Sequence, residues 1–330
     1  MLSITIDDAF QSFLDTIKAS RSTNTYKTYK NGMRLYKIIL ENNSLSPDID
    51  LITKLSEDSI SWFAADLKSQ SPATERLYLT AVTAFFEYLA AESLSEINLP
   101  RIKLLIRQRA RRPGIRLPQF PNDDIEKLLN QIDLLASSPT EDHNHYLINL
   151  RDRAFLITLA DTGLRVHEAC KLTRGDIDWN EQRAIVIGKG NREDIVRFSE
   201  RAILALRKYL QERQKIDGIS GRELTRLPLF SRHDKGKGQK TTPLTTTSGR
   251  NIVQQRVKEI LGAEAVGTIT PHSFRHFFVT KVLRGSGNLK LAQELARHRN
   301  IAVTQRYAHL SNDELDRGYF EIFEESKKEP

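Results

Sequence analysis

A strongly basic segment divides the chain into two parts. Residues 101–117 contain seven lysine or arginine side chains and no acidic residue, and Pro113, Pro118 and Pro121 interrupt the end of the segment. Proline disfavours a continuous helix or strand, and apolar residues at regular spacing lie on both sides. We therefore predict a linker over 101–117 between two domains, which agrees with the chain length of 330 residues.

The first 100 residues have the apolar periodicity of a helical domain. The second predicted helix has an apolar stripe and a basic stripe, each at steps of three and four residues. The apolar stripe is Tyr26, Tyr29, Met33, Tyr36 and Leu40, and the basic stripe is Lys27, Lys30, Arg34 and Lys37. Such a helix can pack inward through one stripe and face phosphates with the other. An ordinary solvated face would have the same pattern.

The second part of the chain, from residue 118, predicts helices and one short β-hairpin. Residues 183–187 and 195–198 are β-type runs on either side of Gly188-Lys189-Gly190-Asn191-Arg192, which is typical of a hairpin turn. The remaining apolar spacing is helical. The predicted fold class is therefore mainly α, with a small antiparallel sheet in the second domain.

Charge and cysteine content narrow the class of protein without identifying it. The 50 basic and 42 acidic residues give a net charge of +8, which suits a nucleic-acid partner and suits a mildly basic enzyme equally well. The single cysteine, Cys170, cannot form an intramolecular disulfide, so we expect a reducing compartment. No apolar run reaches about 18 residues. We therefore expect a soluble cytoplasmic protein.

Basic side chains cluster where a helix is predicted to begin, near residue 270. Thr270 as the cap and Pro271 in the first turn place His272, Arg275 and His276 on one helical face. A helix N-terminus presents free N–H groups and a positive dipole end to an anion. Arginine and histidine added there predict a phosphate site that can also move protons.

Zinc binding is the alternative interpretation of two histidines four residues apart. The zinc-protease pattern needs a glutamate directly after His272, and this chain has Ser273 there. We therefore expect no metal at this position.

Other candidate residues lie elsewhere in the second part. Arg165 begins a predicted helix, and Glu168 follows at a spacing that lets its carboxylate orient the guanidinium. Lys189 lies in a glycine-flanked turn that lacks the spacing of a phosphate-binding Walker loop. Tyr307 follows His298 by nine residues. Taken singly, the first pair would be a surface ion pair and Lys189 an ordinary turn lysine.

In this order, the motifs resemble the tyrosine recombinase/integrase family, in particular its Xer-like members. The matching segments are Thr162-Gly163-Leu164-Arg165-x-x-Glu168, Gly188–Arg192, His272-x-x-Arg275-His276, and His298 with Tyr307. The similarity covers nearly the whole chain, because the basic helical first part looks like the family's core-binding domain. It implies a SAM-like helical domain over 1–100 and an α+β catalytic domain over 118–310. It also implies a tail helix over 311–330 that is exchanged between subunits or packs on its own domain.

The resemblance implies a role for each matching residue. Arg165 and Arg275 would clamp the scissile phosphate, and Tyr307 would attack it to give a 3′-phosphotyrosine and a free 5′-hydroxyl. Lys189 would protonate the departing oxygen. Because the arginines supply the charge stabilisation, no metal or other cofactor is implied.

The histidines and Glu168 receive supporting parts from the same resemblance. His272 would assist proton transfer at the tyrosine, and His298 would hydrogen-bond the phosphate. Glu168 and His276 are predicted to support the site rather than to react. The chain departs from the family at one point, where Leu-Gly-His is usual and Ala296-Arg297-His298 stands. We expect this to alter the local backbone but not the imidazole.

The implied partner is double-stranded DNA, bound by a homo-oligomer with a dimer on each site and a tetramer in the synapse. A partner recombinase or an accessory factor is left open, and the location would be the cytoplasm, at the nucleoid. The predicted DNA contacts are Lys27, Lys30, Arg34, Lys37, Arg107, Arg109, Arg111 and Arg112.

The predicted function is site-specific DNA recombination, in integration of an element or in resolution of chromosome dimers. Two alternatives share the fold: a nicking-closing enzyme like type IB topoisomerases, and a DNA-binding protein without catalysis. The complete set of catalytic residue types argues against the second alternative. The chain length and the motif spacing favour a recombinase over the first.

Overall fold

The computed structural model describes residues 4–111, 121–138, 140, 142–188, 193–233 and 241–305. The chain divides into two compact units, Met1–Arg116 and Leu117–Pro330. The described residues are mostly helical with a three-stranded antiparallel sheet, which confirms the predicted fold class. No helix in these ranges combines the length and apolarity needed to cross a bilayer.

The first unit is a helical bundle with an aromatic core. Its helices are α1 (Ile6–Ser20), α2 (Thr23–Asn42), α3 (Ser59–Asp66), α4 (Pro72–Ala91) and α5 (Leu99–Arg109). Thr5 and Asp8 form a capping box before α1, as their spacing predicts. Phe85 of α4 packs edge-on against Phe10 of α1, with ring centroids 4.8 Å apart. The hydroxyl of the buried Tyr36 is bonded to Ser59 at 2.5 Å, so this polar group has a partner inside the core.

Helix α5 corrects the prediction of a linker that begins at residue 101. Ile102 and Leu105 are buried in the core of the first unit, and Asn98 caps the helix by accepting from the backbone N–H of Arg101. Burial of two apolar side chains on one face outweighs the high charge, because the basic side chains of the other faces reach solvent. The predicted linker residues from 112 onward lie outside the described residues.

The second unit carries the sheet and the remaining helices. They are α6 (Asn122–Ser137), α7 (His143–Thr162), α8 (Val166–Lys171), β1 (Ile177–Asp178), β2 (Arg183–Ile187), β3 (Glu193–Arg197), α9 (Glu200–Glu212), α10 (Gln214–Ile219), α11 (Thr246–Leu261), α12 (Pro271–Ser286), α13 (Leu289–Ala296) and α14 (Ile301–Gln305). The sheet order is β1-β2-β3, and Ile185 pairs with Ile195 across the predicted hairpin. The hairpin turn itself, residues 189–192, lies outside the described residues.

Helix α7 is the central element of the second unit. It is buried along most of its length and packs against α6, α9 and α12. A helix that is buried on nearly all sides must lie inside a domain. The end of α7 therefore has a fixed position, and the turn that follows it carries the first candidate residue of the active site.

Candidate active site

The turn after α7 depends on a glycine. Gly163 has the left-handed conformation, with φ of +60°, and a Cβ at this position would lie 2.5 Å from the ring of Phe278. Both the backbone angle and the close ring exclude larger residues. The backbone N–H of Leu164 donates to the hydroxyl of Thr162 at 3.2 Å. This turn places Arg165 at the N-cap of α8.

Arg165 and Glu168 form the predicted ion pair. The Nη1 atom of Arg165 donates to Oε1 of Glu168 at 2.8 Å, and the Arg165 backbone N–H donates to Oε2 at 2.9 Å. The Glu168 side chain is 3% exposed, whereas that of Arg165 is 43% exposed. Burial would raise the pKa of Glu168, but the charge of Arg297 and the bonds from Arg165 outweigh it and lower the pKa. The carboxylate is therefore ionised, and part of the Arg165 guanidinium faces solvent.

Arg275 connects two separate segments from the first turns of α12. Pro271 is at the start of this helix, and Thr270 and Ser273 form its capping box. The Arg275 side chain donates through Nη1 to the carbonyl of Gly163 at 2.6 Å and through Nη2 to the carbonyl of Ala296. Arg275 is only 2% exposed. Burial, with the nearby Arg165 and Arg297, lowers its pKa to about 9, so it remains charged at pH 7.

His298 contacts Arg275 on one side and Thr304 on the other. Its Nε2 atom lies 3.3 Å from Nε of Arg275, which can only donate, and its Nδ1 atom lies 2.9 Å from Oγ1 of the buried Thr304. Both bonds are satisfied when the proton is on Nδ1 and Nε2 accepts. Burial and the charge of Arg275 are the main causes that lower the pKa of His298 to about 4, so the ring is neutral at pH 7.

His272 is on the exposed side of the same helix start as Arg275. Desolvation and the charges of Arg275 and Arg165 lower its pKa, which favours the neutral ring that can accept a proton. The ring of His276 packs edge-on against it, with centroids 4.2 Å apart. The supporting role of His276 stays a prediction.

An open cavity of about 510 Å³ joins these elements. Arg165, His272 and Arg275 all line it, although they come from α8 and α12, which are distant in the chain. Arg250 of α11 also lines the cavity and is exposed, which sequence reasoning missed because it matches no motif. Cationic and titratable side chains that face one concavity are suited to bind and transform a phosphate group.

Arg297 is the second residue whose place the sequence analysis did not predict. Its backbone is left-handed, with φ of +57°, where an arginine is unusual. Its Nη2 atom lies 3.1 Å from Oε2 of Glu168 and 3.4 Å from the carbonyl of Gly163. The departure from the family's Leu-Gly-His motif was the signal at this position, since a family glycine indicates a left-handed residue.

The predicted catalytic residues are thus partly assembled within the described structure. Arg165, His272 and Arg275 line one cavity, His298 is bonded to Arg275, and Glu168 is bonded to Arg165. Lys189 and Tyr307 lie outside the described residues, as does the tail over 311–330, so their roles remain predictions. In the described ranges, no three histidine, cysteine or acidic side chains cluster as metal ligands would.

The basic stripe of α2 is only partly free to contact a ligand. Lys27, Lys30 and Arg34 are exposed on the helix. The Lys37 ammonium instead lies 2.6 Å from carboxylate oxygens of both Asp7 and Asp48. The first three therefore remain predicted DNA contacts with open donors, whereas the charge of Lys37 is neutralised within the unit.

The basic residues near α5 also differ from one another. Arg107 and Arg109 are exposed. Arg111 donates from its backbone N–H to the buried Glu75 at 2.9 Å, and its Nε atom also bonds this carboxylate. Burial would raise the pKa of Glu75, but Lys68 and Arg111 lower it to about 2. The Arg111 guanidinium is thus engaged in holding the first unit together, and Arg112 lies outside the described residues.

Comparison with known proteins assigns the chain to a family. It matches the phage integrase family over residues 120–314. It is 30% identical to the tyrosine recombinase XerC of Thermodesulfovibrio yellowstonii, over 96% of this chain and 94% of the relative. It is 31% identical to the tyrosine recombinase XerD of Listeria innocua, over 93% of this chain and 94% of the relative.

Solved structures show the same fold at lower identity. The integrase of transposon Tn1549, in complex with transposon right end DNA, is 22% identical with a TM-score of 0.66, over 97% of this chain and all of that one. The XerH site-specific recombinase bound to a palindromic difH substrate is 18% identical with a TM-score of 0.65, over 96% and 84%. These findings confirm the resemblance inferred from the motifs. The chain belongs to the phage integrase family and is a tyrosine recombinase, an enzyme of site-specific DNA recombination.

Proposed function

We propose that this chain cuts and rejoins double-stranded DNA with Tyr307 as the nucleophile and with Arg165 and Arg275 as the clamp on the scissile phosphate. The observation that supports this most strongly is the shared cavity, which both arginines and His272 line. A phosphate in this cavity would have guanidinium groups on two sides. Such groups stabilise the additional negative charge of the transition state when they are already in place before reaction.

The two arginines are suited to different parts of this task. Three donor atoms of Arg275 are held by Gly163, Ala296 and His298, so its guanidinium plane is fixed and its remaining N–H groups are available to phosphate oxygens. Arg165 is nearly half exposed and is oriented by Glu168 alone among the described side chains. Arg275 would therefore define the phosphate position, and Arg165 would close on it.

Proton transfer completes the proposed reaction. The bond from Tyr307 oxygen to phosphorus forms as the bond from phosphorus to the 5′ oxygen breaks, and the energy is kept in the phosphotyrosine. Tyrosine has an ordinary pKa near about 10, so it needs a proton acceptor at neutral pH. His272, with its lowered pKa, would accept that proton. Lys189 would donate a proton to the departing 5′ oxygen.

His298 needs its second nitrogen protonated if it is to donate to the phosphate. In the free protein Nε2 accepts from Arg275, which leaves the proton on Nδ1. A hydroxyl can donate or accept, so Thr304 can bond Nδ1 in either tautomer. We propose that the proton is on Nδ1 in the free protein and on Nε2 when a phosphate is bound, where the phosphate replaces His298 as the acceptor for Nε of Arg275.

The proposed assembly is a dimer on each DNA site and a tetramer in the synapse, acting in the cytoplasm at the nucleoid. DNA-bound structures of the Tn1549 integrase and of XerH support double-stranded DNA as the partner. Within each subunit, the unit Met1–Arg116 would contain the core-binding domain, and residues 118–310 would be the catalytic domain. The tail over 311–330 would dock on a neighbouring subunit.

The test begins with duplexes that the protein itself selects from a random-sequence DNA pool. Nicks are placed at successive positions in a selected duplex, so that a cleaved fragment diffuses away and the covalent adduct accumulates. We expect a protein–DNA adduct on a denaturing gel, with the phosphate on the peptide that contains Tyr307. Y307F abolishes it, and the control Y319F, a nearby tyrosine, retains it.

Other outcomes separate the alternatives. An adduct that persists in Y307F would contradict the assignment of the nucleophile. Relaxation of supercoiled plasmids without any selected sequence would favour the topoisomerase-like enzyme. Tight binding to the selected duplex without any adduct would favour the DNA-binding protein that lacks catalysis.

A further inference from the structure

Arg297 occupies a position that is unfavourable for an arginine. Its φ of +57° and ψ of +44° place it in the left-handed region, at the C-cap of α13. A Cβ makes this conformation costly, and glycine would adopt it freely. The presence of a long charged side chain here therefore requires a compensating interaction.

The Arg297 side chain is also buried, and only some of its N–H donors have hydrogen-bond partners within the described residues. It is 6% exposed, and its Nη2 atom reaches Glu168 at 3.1 Å. Its Nε and Nη1 atoms are buried and have no hydrogen-bond partner within the described residues. A buried guanidinium with unpaired donors is a poor stabilising element, because it loses hydration without full replacement. The hydrogen bonds of the guanidinium therefore give little reason for an arginine at this position.

The negative charge of Glu168 explains why an arginine occupies position 297. Arg165 and Glu168 alone would be a neutral pair, in which the carboxylate competes with a DNA phosphate for the guanidinium. Arg297 adds a second cation to the same carboxylate, on Oε2, while Arg165 Nη1 bonds Oε1. The net charge of the three side chains is then positive. Because the side chains of Glu168 and Arg297 are both buried, water screens the charge of Arg297 only weakly.

We infer that Arg297 is a positioning residue for the proposed cleavage. Its positive charge offsets the negative charge of Glu168, so the positive charge of Arg165 is available to the scissile phosphate. The inference rests on the proposed function. Arg297 also bridges Glu168 and the carbonyl of Gly163, to which Arg275 is bonded at 2.6 Å. It therefore acts on both clamp arginines without touching the substrate.

The test uses R297G, R297K, E168Q and the double variant R297G/E168Q. Glycine suits the backbone at 297, so R297G is expected to fold. Q182G is the control, since Gln182 is also left-handed, with φ of +51°, and lies in the turn between β1 and β2. Three quantities are measured: the single-turnover rate of adduct formation on the selected nicked duplex, the affinity for that duplex, and the thermal unfolding midpoint.

We expect R297G to lower the cleavage rate by about 10- to 100-fold, as removal of an outer residue that orients a reactive group does. DNA affinity should change by less than about threefold, because many phosphate contacts share it. R297K should retain most of the rate, since its ammonium still neutralises Glu168. Q182G should stay within about twofold of the unchanged protein.

The double variant carries the decisive comparison. If Arg297 acts by neutralising Glu168, removal of the carboxylate makes the arginine unnecessary, and R297G/E168Q cleaves at a rate close to that of E168Q alone. Multiplied losses in the double variant, or an unchanged rate in R297G, would overturn the inference. A merely structural role would lower the unfolding midpoint in R297G without rescue by E168Q.

The same measurements distinguish failure of the proposed function from failure of this inference. If the unchanged protein forms no adduct, the cleavage proposal fails. The unfolding midpoints of the four variants still test the contact: a coupled pair gives non-additive shifts for R297G and E168Q, and additive shifts would contradict the pairing.

Discussion

Two groups of basic residues in this molecule differ in how their charged side chains are held. In the candidate active site of the second unit, Arg275 and Arg297 are buried and bonded to backbone carbonyls or to Glu168. On α2 of the first unit, Lys27 and Lys30 are exposed at the surface. One group is fixed in direction, and the other is free to move in water.

The difference indicates two kinds of contribution to DNA chemistry. A guanidinium that is held through three donor atoms, as that of Arg275 is, acts through geometry, so that even a change to lysine should be damaging. An exposed ammonium acts through its charge, is screened by salt, and can be exchanged for arginine with little effect. Substitutions at three places, Arg275, Thr304 and the basic stripe of α2, test this contrast, from the largest expected effect to the smallest.

The largest effect is expected for R275K. Lysine keeps the charge but cannot hold Gly163, Ala296 and His298 with three separate donor atoms. We expect cleavage to fall by about 100- to 1000-fold, the size seen when one preorganised donor to a transition state is removed. Single-turnover adduct formation measures it.

R284K is the matched control for R275K, because Arg284 is exposed on the same helix. It should cleave at the unchanged rate. Equal reductions in the two variants would show that the direction of the Arg275 guanidinium is not what matters.

A smaller effect is expected for T304V. The change removes the hydroxyl that lies 2.9 Å from Nδ1 of His298 and keeps the shape of a fully buried side chain. The imidazole then lacks the hydroxyl that holds its Nδ1 atom and so fixes the orientation of the ring, and we expect about a tenfold slower cleavage. T280V is the control, since the buried Thr280 hydroxyl has no hydrogen-bond partner within the described residues. A comparable reduction in T280V would contradict the role of Thr304.

The smallest effect, on DNA affinity, is expected for the basic stripe of α2. K27Q, K30Q and R34Q should each weaken DNA binding slightly and reduce the slope of log affinity against log salt by about 0.9 for each phosphate that is no longer neutralised. K37Q should leave the slope unchanged, because Asp7 and Asp48 already neutralise Lys37. Titrations at several salt concentrations measure both. A slope that falls in K37Q as much as in K30Q would break the distinction.

Short-range signals in the sequence predicted much of the fold and of the site. The start of α12 at Pro271 and the pair of Arg165 with Glu168 both depend on residues within one helical turn. Spacing determines such contacts, because a helix brings together residues three and four apart. The meeting of Arg165 and Arg275 was expected from the family resemblance and not from spacing.

Long-range partners could not be predicted from the sequence. The linker prediction was wrong for α5 because composition concealed the apolar pair Ile102 and Leu105. Arg111 binds Glu75, which lies 36 residues away, and no local pattern indicates that one arginine of a basic run pairs with a buried carboxylate. Burial and pairing depend on packing between helices, which a charge count does not contain.

The left-handed turn at Gly163 has a consequence for how this enzyme can diversify. The Gly163 carbonyl receives Arg275, its peptide leads directly to Arg165, and the Phe278 ring leaves no room for a side chain. Main-chain atoms therefore set the distance between Arg275 and the turn that carries Arg165. If the two arginines hold the phosphate as proposed, substitutions on other surfaces can change which DNA sequence is bound without changing that distance.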